Sequence, residues 1–252
     1  MAKSKNNNVK TTFLQINRDG YLYESSKEPK EDFKEIVMKD DKGNVIRKVY
    51  HKTYKETDDG YFSYIGIREA EFKTGKVKYL RFSIKSDEGQ DVISIPLYTQ
   101  RGSLSDYAKS LAILLPNVDF SHKVSVKPNT QKNDRDYTIK NFFIKDLDTD
   151  SYVKHAHKYG KDGDIPNCVK KESAGKVVWD CSEQDDYLYN ILLKEIERFK
   201  QFKSNGGFAT NETKTEDKQG TEPTPPTTTS TDIPQGTPQE AFNTDDSDPL
   251  PF

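Results

Sequence analysis

Between Val77 and Ser86 the chain reads VKYLRFSIKS, and alternate positions separate into two kinds. Leu80, Phe82 and Ile84 are apolar, whereas Tyr79, Arg81, Ser83 and Lys85 are ringed, cationic or polar, with Lys76 and Lys78 in the turn region beside them. Rings and cations side by side suit a single strand of nucleic acid. The rings stack on bases, at roughly 1–3 kcal/mol per base and with little regard for sequence, while the cations neutralise phosphates. Upstream, Tyr61, Phe62, Tyr64 and Arg68 extend the same surface. Singly, each of these residues is also a good strand former on a solvated face. Taken together they form the candidate site. The segment IRKVYHKTYK (46–55) mixes bases with aromatics in a similar way and is a weaker addition.

Other constellations offer less. His155 and His157 alternate as strand neighbours would, but two nitrogens make half a metal site, and His122 is the one further candidate. Asp146, Asp148 and Asp150, or Asp58 and Asp59, bring to mind a metal-dependent nuclease; they sit in turn-like contexts where Asp is an ordinary residue. Neither a glycine-rich phosphate loop nor a serine nucleophile elbow is present. The sequence therefore predicts a protein that is not an enzyme, with no catalytic residue, metal or cofactor.

The elements that must position the candidate site follow from periodicity. GYFSYIGIREAEF (60–72), VKYLRFSIKS (77–86) and DVISIPLYT (91–99) read as three strands separated by TGK and DEG turns. The period then changes. In GSLSDYAKSLAILLPN (102–117), Leu104, Ala108, Leu111, Ala112 and Leu115 recur at helical spacing, with Ser103 as the expected N-cap and Pro116 as the stop. HKVSVKP (122–128) and RDYTIKNFFIKD (135–146) complete the unit as strands. Three strands, a helix and two strands is the order of an OB-fold, a five-stranded, partly open barrel that binds oligonucleotides on strands two and three. Outside it, 34–54 reads as a hairpin turning at Asp41–Asn44, and 165–181 as another turning near Ala174–Gly175. That second hairpin brings Cys168 near Cys181, which the sequence reading treats as a packing pair in a reducing cytosol. Leu188, Leu192, Ile196, Phe199 and Phe202 stripe a final helix over 185–203, which is expected to pack on the barrel.

Composition divides the chain. Hydrophobic residues make up only 32% while aromatics reach 11%, which fits a Tyr/Phe-rich folded body joined to a polar segment. From Ser204 onward there are nine acids and two bases, a net charge of −7, which leaves 37 bases against 32 acids, or +5, for residues 1–203. TEPTPPTTTSTDIPQGTPQE within the later part reads as a disordered Thr/Pro-rich linker over 204–241. MAKSKNNNVK is basic but no apolar run follows it, and no stretch of about 18 apolar residues occurs, so a cytoplasmic protein without membrane contact is expected.

Hydrophobic residues return only in FNTDDSDPLPF (242–252). Asp245, Asp246 and Asp248 supply charge, and Leu250, Pro251 and Phe252 end the chain on an aromatic ring. A terminal Phe presents an apolar ring and an α-carboxylate together, so the motif can fill a hydrophobic pocket on a partner while a basic residue there clasps the carboxylate. This stretch, with the layout of barrel, linker and tip, resembles the single-stranded DNA-binding proteins of bacteria and phages; Pro249 departs from a position where an acid is commoner. The long body, with its extra hairpins and helix, looks more like the phage type. The resemblance implies protection of single-stranded DNA in replication, recombination and repair, and recruitment of DNA polymerase, helicase or primase through the tip. It leaves open whether the protein is a homo-oligomer, since the bacterial type is commonly tetrameric and the phage type is not. A second reading stays alongside it: an adaptor that binds replication or recombination proteins with little DNA binding, which the modest +5 of the body allows.

Overall fold

The computed structural model describes residues 10–40, 42–72, 75–132, 138–173 and 176–207. The fold is mainly β. Its strands are β1 (Lys10–Ile16), β2 (Leu22–Ser26), β3 (Lys34–Lys39), β4 (Val45–Tyr54), β5 (Tyr61–Phe72), β6 (Gly75–Lys85), β7 (Gly89–Pro96), β8 (Val124–Lys132), β9 (Thr138–Asp146), β10 (Ser151–Tyr152), β11 (Val169–Ser173) and β12 (Lys176–Asp180). Helix α1 (Asp106–Leu114) lies between β7 and β8, and α2 (Ser182–Ser204) follows β12. Among the described residues no helix is long and apolar enough to cross a membrane.

The expected succession of three strands, helix and two strands is present as β5, β6, β7, α1, β8 and β9. The sheets nevertheless do not close into a barrel. Strands order as β3-β4-β2-β1-β7-β6-β5 in one sheet and β10-β9-β8 in another. The edge of β7 is taken by β1, which runs parallel to it with Phe13 beside Val92. Neither β1 nor β2 was expected from the sequence. The two sheets meet where β5 begins: the Gly60 and Val124 amides each donate to the other's carbonyl, at 3.1 and 2.7 Å, and Thr57 N donates to Val126 O at 3.0 Å. Glycine is required at that junction, since a Cβ on Gly60 would stand 2.3 Å from the Lys85 carbonyl oxygen.

The inward rows of the strands build one core. Leu80, Phe82 and Ile84 on β6 meet Ile93 and Ile95 on β7, Val124 and Val126 on β8, and Phe142 and Ile144 on β9. Helix α1 plugs the space between the sheets and buries Ala108, Leu111, Ala112 and Leu114. Its cap is Ser105 rather than Ser103: the Ser105 hydroxyl accepts from Ala108 N and donates to the Pro96 carbonyl at 2.6 Å. Pro116 follows in a short 3-10 turn and ends the helix as expected.

Helix α2 buries Leu188, Leu192, Ile196 and Phe199, the stripe read from the sequence. Two polar clamps fix its position. Lys109 of α1 pairs with Asp185 at 2.8 Å, both largely buried, and Asp185 also accepts from Leu104 N at 3.0 Å. Arg198 donates to the Leu115 and Val118 carbonyls at 2.6 and 3.1 Å, across the turn that follows α1, and its guanidinium covers the Phe120 ring at 4.2 Å.

Both hairpins form. In the first, Asp40 accepts from the Lys42 and Asn44 amides at 2.9 and 2.7 Å, an Asx-type turn between β3 and β4. In the second, β11 pairs with β12, and Cys168 and Cys181 are joined in a disulfide at its base. This corrects the expected packing pair. Assumed compartment outweighed position in that expectation, although the two residues flank the two strands directly. A link closing 13 residues is worth roughly 3 kcal/mol in the chain-entropy view, and here it acts on a local loop. Reduction, or Cys168→Ser, is expected to speed amide hydrogen exchange in β11 and β12 and leave β6 and α1 unchanged; slowed or unaltered exchange in the hairpin would refute the staple.

Candidate nucleic-acid interface

Alternation along β6 sets Tyr79, Arg81, Ser83 and Lys85 on the face opposite Leu80, Phe82 and Ile84, with Ser83 buried among its neighbours, and the ladders on either side fix those neighbours. Arg68 of β5 pairs with Tyr79, Gly66 with Arg81, Tyr64 with Ser83 and Tyr61 with Lys85. On the other side Pro96, Ser94, Val92 and Gln90 of β7 take the same rows. Beyond them β1 adds Phe13 beside Val92 and Thr11 beside Gln90. These rows carry Arg68, Arg81 and Lys85 and no carboxylate.

Contacts hold the rings in place. The Arg68 guanidinium lies 5.2 Å from the Tyr64 ring centre, and Tyr64 itself lies across Gly66, where a Cβ would stand 2.6 Å from its hydroxyl. Tyr79 sits 6.4 Å from the Phe72 ring, and partial burial raises its hydroxyl pKa. Lys123 reaches over Tyr61 at 5.8 Å. Arg81 Nε donates to Ser94 Oγ at 2.9 Å, which pins the guanidinium against the sheet. Between Tyr64 and Lys85 lies a neutral network: Gln90 Nε2 donates to the Ser63 and Ser83 hydroxyls at 3.1 and 2.9 Å. Together these give a pre-ordered surface of rings and cations.

Three expected members do not belong. Phe62 is 1% exposed and packs in the core against Phe82 and Phe120. A register shift between Phe62 and Tyr64 is the reason, because it puts Tyr61 and Tyr64 on the outer face and Phe62 on the inner one. Lys76 and Lys78 lie within β6, not in a turn, and share the phase of Leu80 and Phe82 on the opposite face. Lys76 pairs there with Glu69 at 3.0 Å, and Lys78 stands opposite Glu69 in the ladder. Tyr61, Tyr64, Arg68, Tyr79, Arg81 and Lys85 remain together.

The structure adds residues that the sequence reading passed over. Phe13 is 64% exposed on this face. Its signal was the alternation of KTTFLQI, in which Leu14 is buried and Phe13 is not. From α2, Lys203 Nζ donates to the Ser63 carbonyl at 2.9 Å. Lys203 and Lys200 border a cleft of about 410 Å³ between α2 and β5 that Tyr64, Ile67 and Leu193 also line. The 46–55 segment forms most of β4, four strands from β6 and so roughly 19 Å away at the usual strand spacing. There Tyr23 and His51 stack with ring centres 4.5 Å apart, and burial lowers the His51 pKa.

The enzyme-like clusters disperse. His155 and His157 lie in a loop rather than a strand; His155 is exposed, and His157 pairs with Asp164, which also accepts from the Tyr187 hydroxyl at 3.0 Å. His122 pairs with Asp146 at 2.8 Å, raising the imidazole pKa, and Asp146 accepts from the Asp148 and Thr149 amides in a turn. Asp150 pairs with Lys145 at 2.6 Å. The amide of Asp58, whose neighbour is Asp59, donates to the Asp91 carboxylate at 3.0 Å. Among the described residues no three His, Cys, Asp or Glu side chains come together as a metal site. The tip residues Asp245, Asp246, Asp248, Leu250, Pro251 and Phe252 lie outside the described residues.

Comparison with family models, curated proteins and solved structures finds no match to this chain.

Phe62 and Lys85 separate core from surface in one measurement. Phe62→Ala should lower stability to denaturant by about 3–5 kcal/mol, whereas Lys85→Ala should stay within about 0.5 kcal/mol of the parent. Equal losses would contradict the two faces described.

Proposed function

We propose that this chain is a sequence-nonspecific single-stranded DNA-binding protein, without catalytic activity of its own. The observation that carries the reading is the outer face of β5, β6 and β7. There Tyr64 and Tyr79 alternate with Arg68, Arg81 and Lys85, Phe13 stands beside them, and no carboxylate interrupts the rows. Bases freed from pairing expose their faces to such rings, and the cations take the phosphates between them. A duplex keeps its base faces stacked and cannot use the rings. Stacking on rings and pairing of cations with phosphates do not depend on base identity, so low sequence specificity follows.

In this reading β5, β6, β7, β8 and β9 occupy the five strand positions of an OB-type unit, and the pairing of Gly60 with Val124 is the start of its closure. The order of three strands, a helix and two strands supports that assignment. The acidic tip is the recruiting element, with Phe252 filling a pocket on a polymerase, helicase or primase. Tethered at −7 to a +5 body, the tail also competes weakly with DNA for the basic face.

Fluorescence anisotropy with a labelled poly-dT oligonucleotide tests the reading. Expected is tight binding that duplex competitor fails to displace and that weakens steeply with salt. The double variant Tyr79→Ala/Arg81→Ala should lose about tenfold or more in affinity, and Arg81→Ala alone should flatten the slope of log K against log salt by about 0.7. Absence of binding at low salt would refute the proposal and leave the adaptor reading.

Deleting 242–252 should raise affinity for poly-dT a few-fold and abolish capture of replication partners. Partner capture that survives the deletion would refute the role of the tip.

A further inference from the structure

The hairpin β11–β12 stands apart from everything described so far. Its two strands pair only with each other and join neither larger sheet. A free two-stranded hairpin is marginal in water, yet this one carries large apolar side chains outward. Val169 is 53% exposed, Val177 49%, Val178 50% and Trp179 38%. Register places Lys170 directly across from Trp179, with Glu172 and Val177 one pair nearer the turn on that face. Val169, Asp180, Lys171 and Val178 make up the other face. The disulfide at the base offsets what the missing neighbours cost. Gln184 of α2 steadies the same end, donating to the Pro166 carbonyl at 2.8 Å.

We propose that this stapled hairpin is a second contact for single-stranded nucleic acid, in which one base stacks on the Trp179 indole and Lys170 takes the adjacent phosphate. The inference rests on the DNA-binding reading above and adds a site that the sheet face does not contain. Two features favour a nucleic acid strand over a protein groove. First, apolar side chains leave both faces of a wafer two strands wide; a protein surface would cover one face and strand the other, whereas unstacked bases can lie on either side. Second, a cation stands directly across from the ring, although Glu172 shares that face. Lys171 is paired with Asp180, while Lys170, beside the ring, makes no ion pair among the described residues.

Trp179 is the single tryptophan of the chain, so native fluorescence reports on it alone when excited beyond the tyrosine band. The full chain is titrated with unlabelled poly-dT while its emission is followed, in parallel with the anisotropy of a labelled oligonucleotide. Expected are quenching along the same isotherm as binding, about a tenfold weaker affinity for Trp179→Ala, and near-parental affinity for Trp179→Phe, whose ring still stacks. Lys170→Ala should weaken binding and reduce its salt dependence. DNA binding with emission unchanged and with Trp179→Ala at parental affinity would overturn the hairpin contact while leaving the sheet face standing. A shift in sedimentation for Trp179→Ala with unaltered DNA affinity would also overturn it, by assigning the hairpin to contact between copies. No binding in either readout would overturn both proposals together.

Discussion

A run of aromatic rings ties the separate parts of this molecule into one body. Tyr107 on α1 lies 4.9 Å from Phe142 on β9, Phe142 meets Phe82 on β6 at 5.7 Å, and Phe82 meets Phe62 on β5 at 6.1 Å. From Phe62 the run continues to Phe120 at 6.0 Å and to Phe199 on α2 at 5.0 Å. The Phe142–Phe82, Phe62–Phe120 and Phe120–Phe199 pairs are edge-to-face, and such pairs contribute about 0.5–1.5 kcal/mol each beyond the area they bury. Their larger consequence is geometric, because the two sheets and both helices share one core. The outer face of β5–β6–β7 can be a pre-ordered surface because its inner face is locked in this way. Phe62 is central to the run, which is why it cannot also be a stacking platform.

Strand parity explains most of what could be read in advance. The alternation of VKYLRFSIKS already separated Tyr79, Arg81 and Lys85 from Leu80, Phe82 and Ile84, and β6 obeys it. Parity also assigns Lys76 and Lys78 to the inner phase, but placing them in a turn removed them from that logic. On β5, strict alternation would put Phe62 and Tyr64 on one face. The irregularity at Ser63 breaks the rule, and only long-range pairing with β6 reveals it. Local pattern fixes a face until a bulge shifts it.

The elements that escaped the sequence reading share a cause. β1 and β2 are short, polar on one side and edge-like in composition, and their partners lie far along the chain, with β1 held parallel against β7. Nothing within a window of ten residues encodes that pairing. The cap at Ser105 differs from the expected Ser103 for a related reason: Ser105 is held by the Pro96 carbonyl, a tertiary contact. The disulfide shows the opposite failure. Its two cysteines flank the hairpin strands, so the local pattern was sufficient, and an assumption about compartment overrode it.

The positions of β1 and α2 bear on how a long strand could be held. On an isolated three-stranded face, the rows Arg68–Tyr79 and Tyr64–Ser83 would end at β7. Attaching β1 extends the Tyr64–Ser83–Val92 row to Phe13, so rings stand on both margins. At the β5 margin α2 adds Lys203, fixed on the Ser63 carbonyl, with Lys200 beside the same cleft. Arg198 and the Lys109–Asp185 pair anchor that helix through groups away from the face. The additions outside the five-strand unit therefore widen the face in opposite directions, one with a ring and the other with charge. In the proposed reading, that arrangement would favour contact with successive nucleotides over grip on any single one, as binding without sequence preference requires.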